Sequence, residues 1–242
     1  MSLVNIGTSG WYYDHWKDAF YPAGLKKPDW LPFYASRFTT VEINATFYRL
    51  PFPNMIQGWR NKAPEGFVYA VKGSRKITHL RKLANVAEDL QLFMERVCAL
   101  GDCLGPILWQ LPPSLHRDDD RLDAFLAQLP RDQRHAVEFR HSSWYHNEVA
   151  AILRAHGAAF VGISSLRVPP QHPVTADFIY IRLHGLEGGY AHDYTEGELR
   201  PWAEFIRDSV ADGLPAFAYF NNDGLARAPG NATGFCAMVE RG

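Results

Sequence analysis

Apolar residues along this chain recur with two periods, and the two alternate. Phe178–His184 shows the short period best: Ile179, Ile181 and Leu183 share one face, while Tyr180, Arg182 and His184 share the other. Equivalent period-two runs predict strands at Val4–Gly7, Thr40–Asn44, Phe67–Lys72, Leu104–Gln110, Ala136–Arg140, Ala159–Ser164, Phe178–His184 and Ala216–Asn221. Between them the spacing becomes helical. Asn54–Ala63 carries Met55, Ile56 and Trp59 on one stripe, and Asn85–Leu100 carries Leu90, Phe93, Met94 and Val97. Helices are also predicted over Asp29–Phe38 (restricted by Pro32), Arg121–Leu129, Asn147–His156 closed by Gly157, Thr195–Asp212, and Asn231–Glu240.

Strands separated by helices call for right-handed crossovers and a parallel sheet. Eight such units in 242 residues predict the α/β class, as one (β/α)8 TIM-like barrel spanning 1–242, close to the roughly 250 residues usual for that fold. No Gly-x-Gly-x-x-Gly follows the first strand and no Walker A sequence occurs, which weakens an open nucleotide-binding sheet.

Composition changes this picture little. Hydrophobic residues make up 47% and charged residues 21%, enough for a sizeable core and against disorder. Net charge is −1, so coating nucleic acid by bulk electrostatics is disfavoured, although a local basic groove is not. Aromatics at 14% point to an aromatic-lined cleft. Cys98, Cys103 and Cys236 lack metal-ligand spacing and read as small apolar residues of a reducing compartment. No signal peptide and no apolar run of membrane length occur, so a cytosolic protein without membrane contact is expected.

Several segments together resemble the YecE-like proteins, also called domain of unknown function 72. They are IGTSGWYYDHW (6–16), VEINATFYRLP (41–51), VEFRHSSW (137–144), YIRLHG (180–185) with Tyr194–Trp202, YFNND (219–223) and the Asn231-Ala232 pair. One position departs, since Asp223 stands where Thr is expected after two Asn. The resemblance implies a TIM-like barrel and supplies no reaction.

Turning each polar strand face inward gathers a set of charged and amide side chains: Glu42, Asn44, Lys72, Gln110, Glu138, Arg140, Arg182, His184 and Asn221 or Asn222. Two Glu against Lys and two Arg leave about one positive charge, and unpaired charge in a lumen is costly, so pairing is expected with a residue of charge for an anion. The same residues would also serve as a purely structural ion-pair belt. Candidate catalytic residues are Glu42, Glu138, His184 and Lys72. Candidate substrate-binding residues are Arg140 and Arg182 as an anion clamp, with Asn44, Gln110, Asn221, Asn222 and Trp11. The final helix, taken to start near Asn231, would add its N-terminal dipole to the anion site. The Gly-rich loop Gly185–Tyr194 reads as a cover over it.

Clustered metal ligands are missing from the strand ends, so neither metal nor organic cofactor is expected. The expected function is an enzyme acting on a small phosphate- or carboxylate-bearing substrate by acid/base chemistry at the C-terminal end of the barrel. The alternative is a nucleic-acid-binding or -processing protein, using the basic stretch Lys72–Lys82 with Trp11, Tyr12, Tyr13 and Trp144 as stacking surfaces.

Overall fold

The computed structural model describes residues 2–241; Met1 and Gly242, the ends of the expected domain, lie outside the described residues. Its strands are Val4–Thr8 (β1), Thr40–Ile43 (β2), Val68–Lys72 (β3), Leu104–Gln110 (β4), His135–Glu138 (β5), Ala159–Phe160 (β6), Gly162–Ser164 (β7), Ile179–Leu183 (β8) and Ala216–Phe220 (β9). All pair in parallel, in two sheets of order β1-β9-β8-β7 and β2-β3-β4-β5-β6. The fold is thus α/β with parallel sheets, but in two sheets rather than one.

Two places bring the sheets together. The expected sixth strand is interrupted at Val161, whose N–H still donates to Val137 C=O at 3.0 Å; before it the chain pairs with β5, after it with β8. Just beyond β1, Ser9 N–H donates to Phe220 C=O, while Ser9 forms a parallel bridge with Glu42 and Gly10 N–H donates to Glu42 C=O at 2.8 Å.

Helices fill the intervals: Trp30–Ala35 (α1), Ala45–Tyr48 (α2), Pro53–Lys62 (α3), Ala87–Cys98 (α4), Asp119–Leu126 (α5), Asn147–His156 (α6), Glu196–Ala211 (α7) and Arg227–Glu240 (α8). Their ends follow local chemistry. A capping box of Thr195 and Glu198 opens α7, the Asp118 side chain accepts the Arg121 N–H to open α5, and Gly157 closes α6 in the left-handed region. The last helix begins at Arg227, four residues before the expected Asn231. Pro229 falls in its first turn, where no N–H is required, so proline is no barrier there. The dipole expected at Asn231 therefore belongs to Arg227. The basic stretch contains a short π-helical turn at Lys76–Leu80, which periodicity did not reveal.

The aromatic excess serves the core more than a cleft. Trp16, Trp30, Trp109 and Trp144 are fully buried, and each indole N–H has an acceptor: Asp223 Oδ1, Leu25 C=O, His135 Nδ1 and Leu115 C=O respectively. Trp144 consequently offers no stacking surface, contrary to expectation. Asp223, the residue departing from the expected Thr, is held by Trp16 and by His15 at 2.9 Å.

Candidate active site

Strand alternation sends Tyr180 and Arg182 of β8, Glu42 of β2 and Glu138 of β5 to a common interior, where all four are buried. Arg182 joins the two sheets there. Its Nη2 donates to Glu42 Oε1 and its Nη1 to Glu138 Oε2, both at 2.6 Å. Ser9 Oγ and Gln110 Oε1 lie at 3.1 and 3.4 Å from the same nitrogens. Glu42 also receives Tyr180 O–H at 2.7 Å and the Ser9 hydroxyl. Below, Tyr219 O–H meets Thr40 Oγ1 at 2.7 Å, so the interior at this level is hydroxyl-lined.

A second step extends from Glu138. Arg140, just past β5, pairs through Nε with Glu138 Oε1 and places Nη2 2.9 Å from His184 Nε2. Guanidinium only donates, so Nε2 is the acceptor and the neutral ring carries its hydrogen on Nδ1. Asn221 Nδ2 stands 2.8 Å from Nδ1, and turning the amide end for end puts its oxygen there to accept that hydrogen. Burial drives the His184 imidazole down to about 4, against the pull of Glu138 and with Arg140 and Arg182 reinforcing it, so the ring is neutral near pH 7.

The carboxyls behave oppositely. Burial pushes Glu42 up, but Arg182, Ser9 and Lys72 outweigh it and hold the group below its ordinary value. At Glu138 burial is again opposed, by Arg140, Arg182 and His184, and the carboxyl lies well below the usual range. Both are carboxylates at neutral pH; Glu42 accepts from Arg182, Tyr180 and Ser9, while Glu138 Oε1 is ion-paired with Arg140 Nε without a hydrogen bond.

Above this belt opens a cleft of about 750 Å³, lined by Lys72, Arg140, Arg167 and Arg182, by Asn44, Gln110 and Asn221, and by Tyr13, Phe47, Tyr48, His79, Pro113 and Tyr190. Among the described residues no Asp or Glu lines it. Lys72 ends β3 and projects Nζ over the Phe47 ring, 4.4 Å from its centre. Gly73 makes this exit possible, because a Cβ there would lie 2.3 Å from the Trp109 ring. Lys72 has no carboxylate at ion-pair distance among the described residues. Burial, with Arg182 and Arg140 beside it, lowers the ammonium to about 8 although Glu138 and Glu42 pull the other way. His79, edge-on to Phe47 at 4.8 Å, is lowered to about 4 by burial and by Lys72.

The structure therefore gathers Glu42, Glu138, Lys72, Arg140, Arg182, His184, Asn44, Gln110 and Asn221 at one end of the strands. Two expected residues are elsewhere. Asn222 is buried with Nδ2 on His192 C=O and Asn231 Oδ1, at 2.8 and 2.7 Å, tying α8 to the preceding loop. Trp11 lies beyond Gly10, whose φ of 93° turns the chain. It packs edge-on against Trp59 at 6.2 Å and borders a separate groove with Tyr12 and Met55. Phe47 and Tyr48 come from the single-turn helix α2, and Arg167 and Tyr190 from the segments after β7 and β8, all too short or irregular to carry a period. The basic stretch is partly neutralised, since Lys76 and Arg81 both pair with Asp89. Among the described residues no group of three or more His, Cys, Asp or Glu side chains could hold a metal ion, and no helix is long and apolar enough to cross a membrane.

Known proteins resemble this chain in sequence and in fold. The protein YecE of Escherichia coli K12 is 28% identical over 144 residues, covering 59% of this chain and 50% of YecE, so that match spans half the length of that relative. The protein YunF of Bacillus subtilis is 24% identical across 98% of this chain and 95% of its own. A solved protein of the domain of unknown function 72 family from Thermotoga maritima superposes with a TM-score of 0.86 at 29% identity, covering 99% of this chain and all of its own. One from Enterococcus faecalis gives 0.82 at 19% identity, covering 98% and 95%. The family described as protein of unknown function DUF72 matches residues 5–242, and the chain belongs to it.

Proposed function

We propose that the two sheets are halves of one eight-stranded barrel in a single domain, and that the cleft at its C-terminal end is an enzyme site for a small anionic substrate. One observation carries the reading: among the described residues four cations and no carboxylate line the cleft, and Lys72 lacks an acidic partner. An uncompensated ammonium beside two guanidinium groups is unfavourable until an anion arrives, so part of the binding energy is relief of that repulsion.

The belt divides the roles. Arg182 has carboxylates on both Nη atoms, so it aligns Glu42 and Glu138 while Lys72, Arg140 and exposed Arg167 meet the anion. Glu42 and Glu138 are weak bases because their cations favour the charged form. Proton transfer falls instead to Lys72, whose lowered value suits a base in mildly alkaline solution, with neutral His79 and His184 nearby. The free thiols of Cys98, Cys103 and Cys236 fit a cytoplasmic setting.

A second reading is favoured by exposed Tyr48 and Tyr190 on the rim, which would stack bases of single-stranded nucleic acid. Titrating inorganic phosphate and a short single-stranded oligonucleotide by calorimetry separates the two. The small-substrate reading expects phosphate to bind the wild type and not Lys72→Met. Salt-sensitive binding of the oligonucleotide with none of phosphate would favour the second reading, and binding of neither would remove both.

A further inference from the structure

We propose that Lys72 is a nucleophile that forms an imine with the carbonyl carbon of a small anionic aldehyde or ketone seated in the cleft. The inference rests on the anion-site reading above and names its substrate class.

Lys72 differs in surroundings from the other lysines. Lys17 and Lys27 pair with Asp14, and Lys76 pairs with Asp89. Lys62 and Lys82 donate to the carbonyls of Pro28 and Ser114, and Lys26 is exposed to water. Lys72 alone is half-buried in a cleft, against an aromatic face, with guanidinium groups around it. The two carboxylates that could have paired with it are taken by Arg182 and Arg140. The belt thus has a chemical consequence: by occupying Glu42 and Glu138, it leaves the amine without a partner that would hold its proton.

A lysine needed only for charge would gain from a carboxylate-free but hydrated position. Burial and crowding by Arg140 and Arg182 work against the ammonium and favour the neutral amine, which is the form that attacks carbon, although the Phe47 face attracts the charged form. The groups bearing on Lys72 are Arg182, Glu138, Glu42 and Arg140, together with His79 on the π-helical turn, and their net effect with burial is the lowering already described. The remaining cations, Arg140 and Arg167, supply the contacts for the substrate's phosphate or carboxylate, which would bring the carbonyl to the amine.

The step balances without a redox partner. The Nζ lone pair forms a C–N bond as the carbonyl π pair moves to oxygen, and a proton passes from nitrogen to that oxygen to give a carbinolamine. The nitrogen lone pair then forms the C=N bond as the C–O bond breaks, and the hydroxyl leaves as one water, taking up from solvent the proton that the ammonium released before attack. The protonated imine keeps the single positive charge of the original ammonium, so the balance with the belt is unchanged.

Pyridoxal 5′-phosphate, an anionic aldehyde used purely as a probe, tests this. The protein is exposed briefly at pH 7.5, reduced with borohydride and mapped by peptide mass spectrometry, with and without excess inorganic phosphate. Lys72 should carry at least about tenfold more label than Lys26 or Lys62, as expected where more amine is neutral, and phosphate should suppress it. Lys72→Arg should still bind phosphate but show no labelling at that position. Label spread over the exposed lysines, with Lys72 no higher, would overturn the proposal even if phosphate binds by calorimetry. Pyridoxal lacking the phosphate separates the two readings. Labelling of Lys72 as fast as by the phosphorylated probe would support the nucleophile and sink the anion site; slower labelling supports both.

Discussion

The Arg182 belt and the Lys72 position use the same residue types a few ångströms apart and reach opposite states. In the belt, Glu42 accepts from Arg182, Tyr180 and Ser9, Glu138 pairs with Arg182 and Arg140, and Arg182 bridges both sheets, so charge is buried and compensated. At Lys72, charge is half-buried and uncompensated, with only an aromatic face for contact. Compensation fixes the belt in one protonation state, whereas its lack leaves Lys72 ready to lose a proton or gain an anion. The contrast teaches that formal charge on an inward strand face does not mark reactivity. What marks it is the charge left over after pairing.

The most disruptive way to break the comparison is Arg182→Leu, which leaves two carboxylates buried with no shared cation. Unfolding by denaturant should show a loss of about 3–5 kcal/mol, and a change under about 1 kcal/mol would mean that the belt contributes little to the fold.

Glu138→Gln is expected to be milder, near 2 kcal/mol, since Gln retains shape and one hydrogen bond while Arg140 and Arg182 lose a charged acceptor. It also carries a pH signature. The folded Glu138 carboxyl lies well below its unfolded value, so its stabilisation is present above the unfolded value near 4.5 and lost as pH falls toward the folded one. The wild type should therefore lose stability on acidification below about pH 5 more steeply than Glu138→Gln. Parallel curves would place the pairing energy elsewhere.

Lys72→Met should change stability least and in the opposite direction, as a gain of about 1 kcal/mol near pH 7 after solvent screening, because it removes a charge that the folded state disfavours. Here the sign with pH reverses. An amine whose folded value is depressed binds fewer protons when folded, so the wild type should gain stability relative to Lys72→Met as pH rises from about 8 towards 10.5. A loss over that interval would show Lys72 to be ion-paired in solution.

Much of the belt was legible in the chain because period two leaves no choice of face. Once Ile179, Ile181 and Leu183 pack outward, Tyr180 and Arg182 must point inward, and the same reasoning placed Glu42 and Glu138. Parity would also have separated Asn221 from Asn222, since Asn221 shares a face with Tyr219 and Asn222 does not. What was not legible is which cation takes which carboxylate. Arg182 looked like half of an anion clamp until its distances to both Glu showed it occupied. Residues on irregular segments were likewise hidden: Trp11 beyond the Gly10 turn, Tyr190 on its loop and His79 on a π-helical turn follow no period. The interrupted sixth strand read as continuous because apolar residues run through Val161 without a break.

The split between compensated and uncompensated charge is tested most directly by following the lysine side-chain nitrogens by NMR as pH is raised, in wild type and in Lys72→Met. One resonance, missing from the variant, should titrate near 8 and move upward when phosphate is added. If no resonance that the variant lacks titrates near 8, with or without phosphate, Lys72 is a compensated surface charge and the contrast with the belt is wrong.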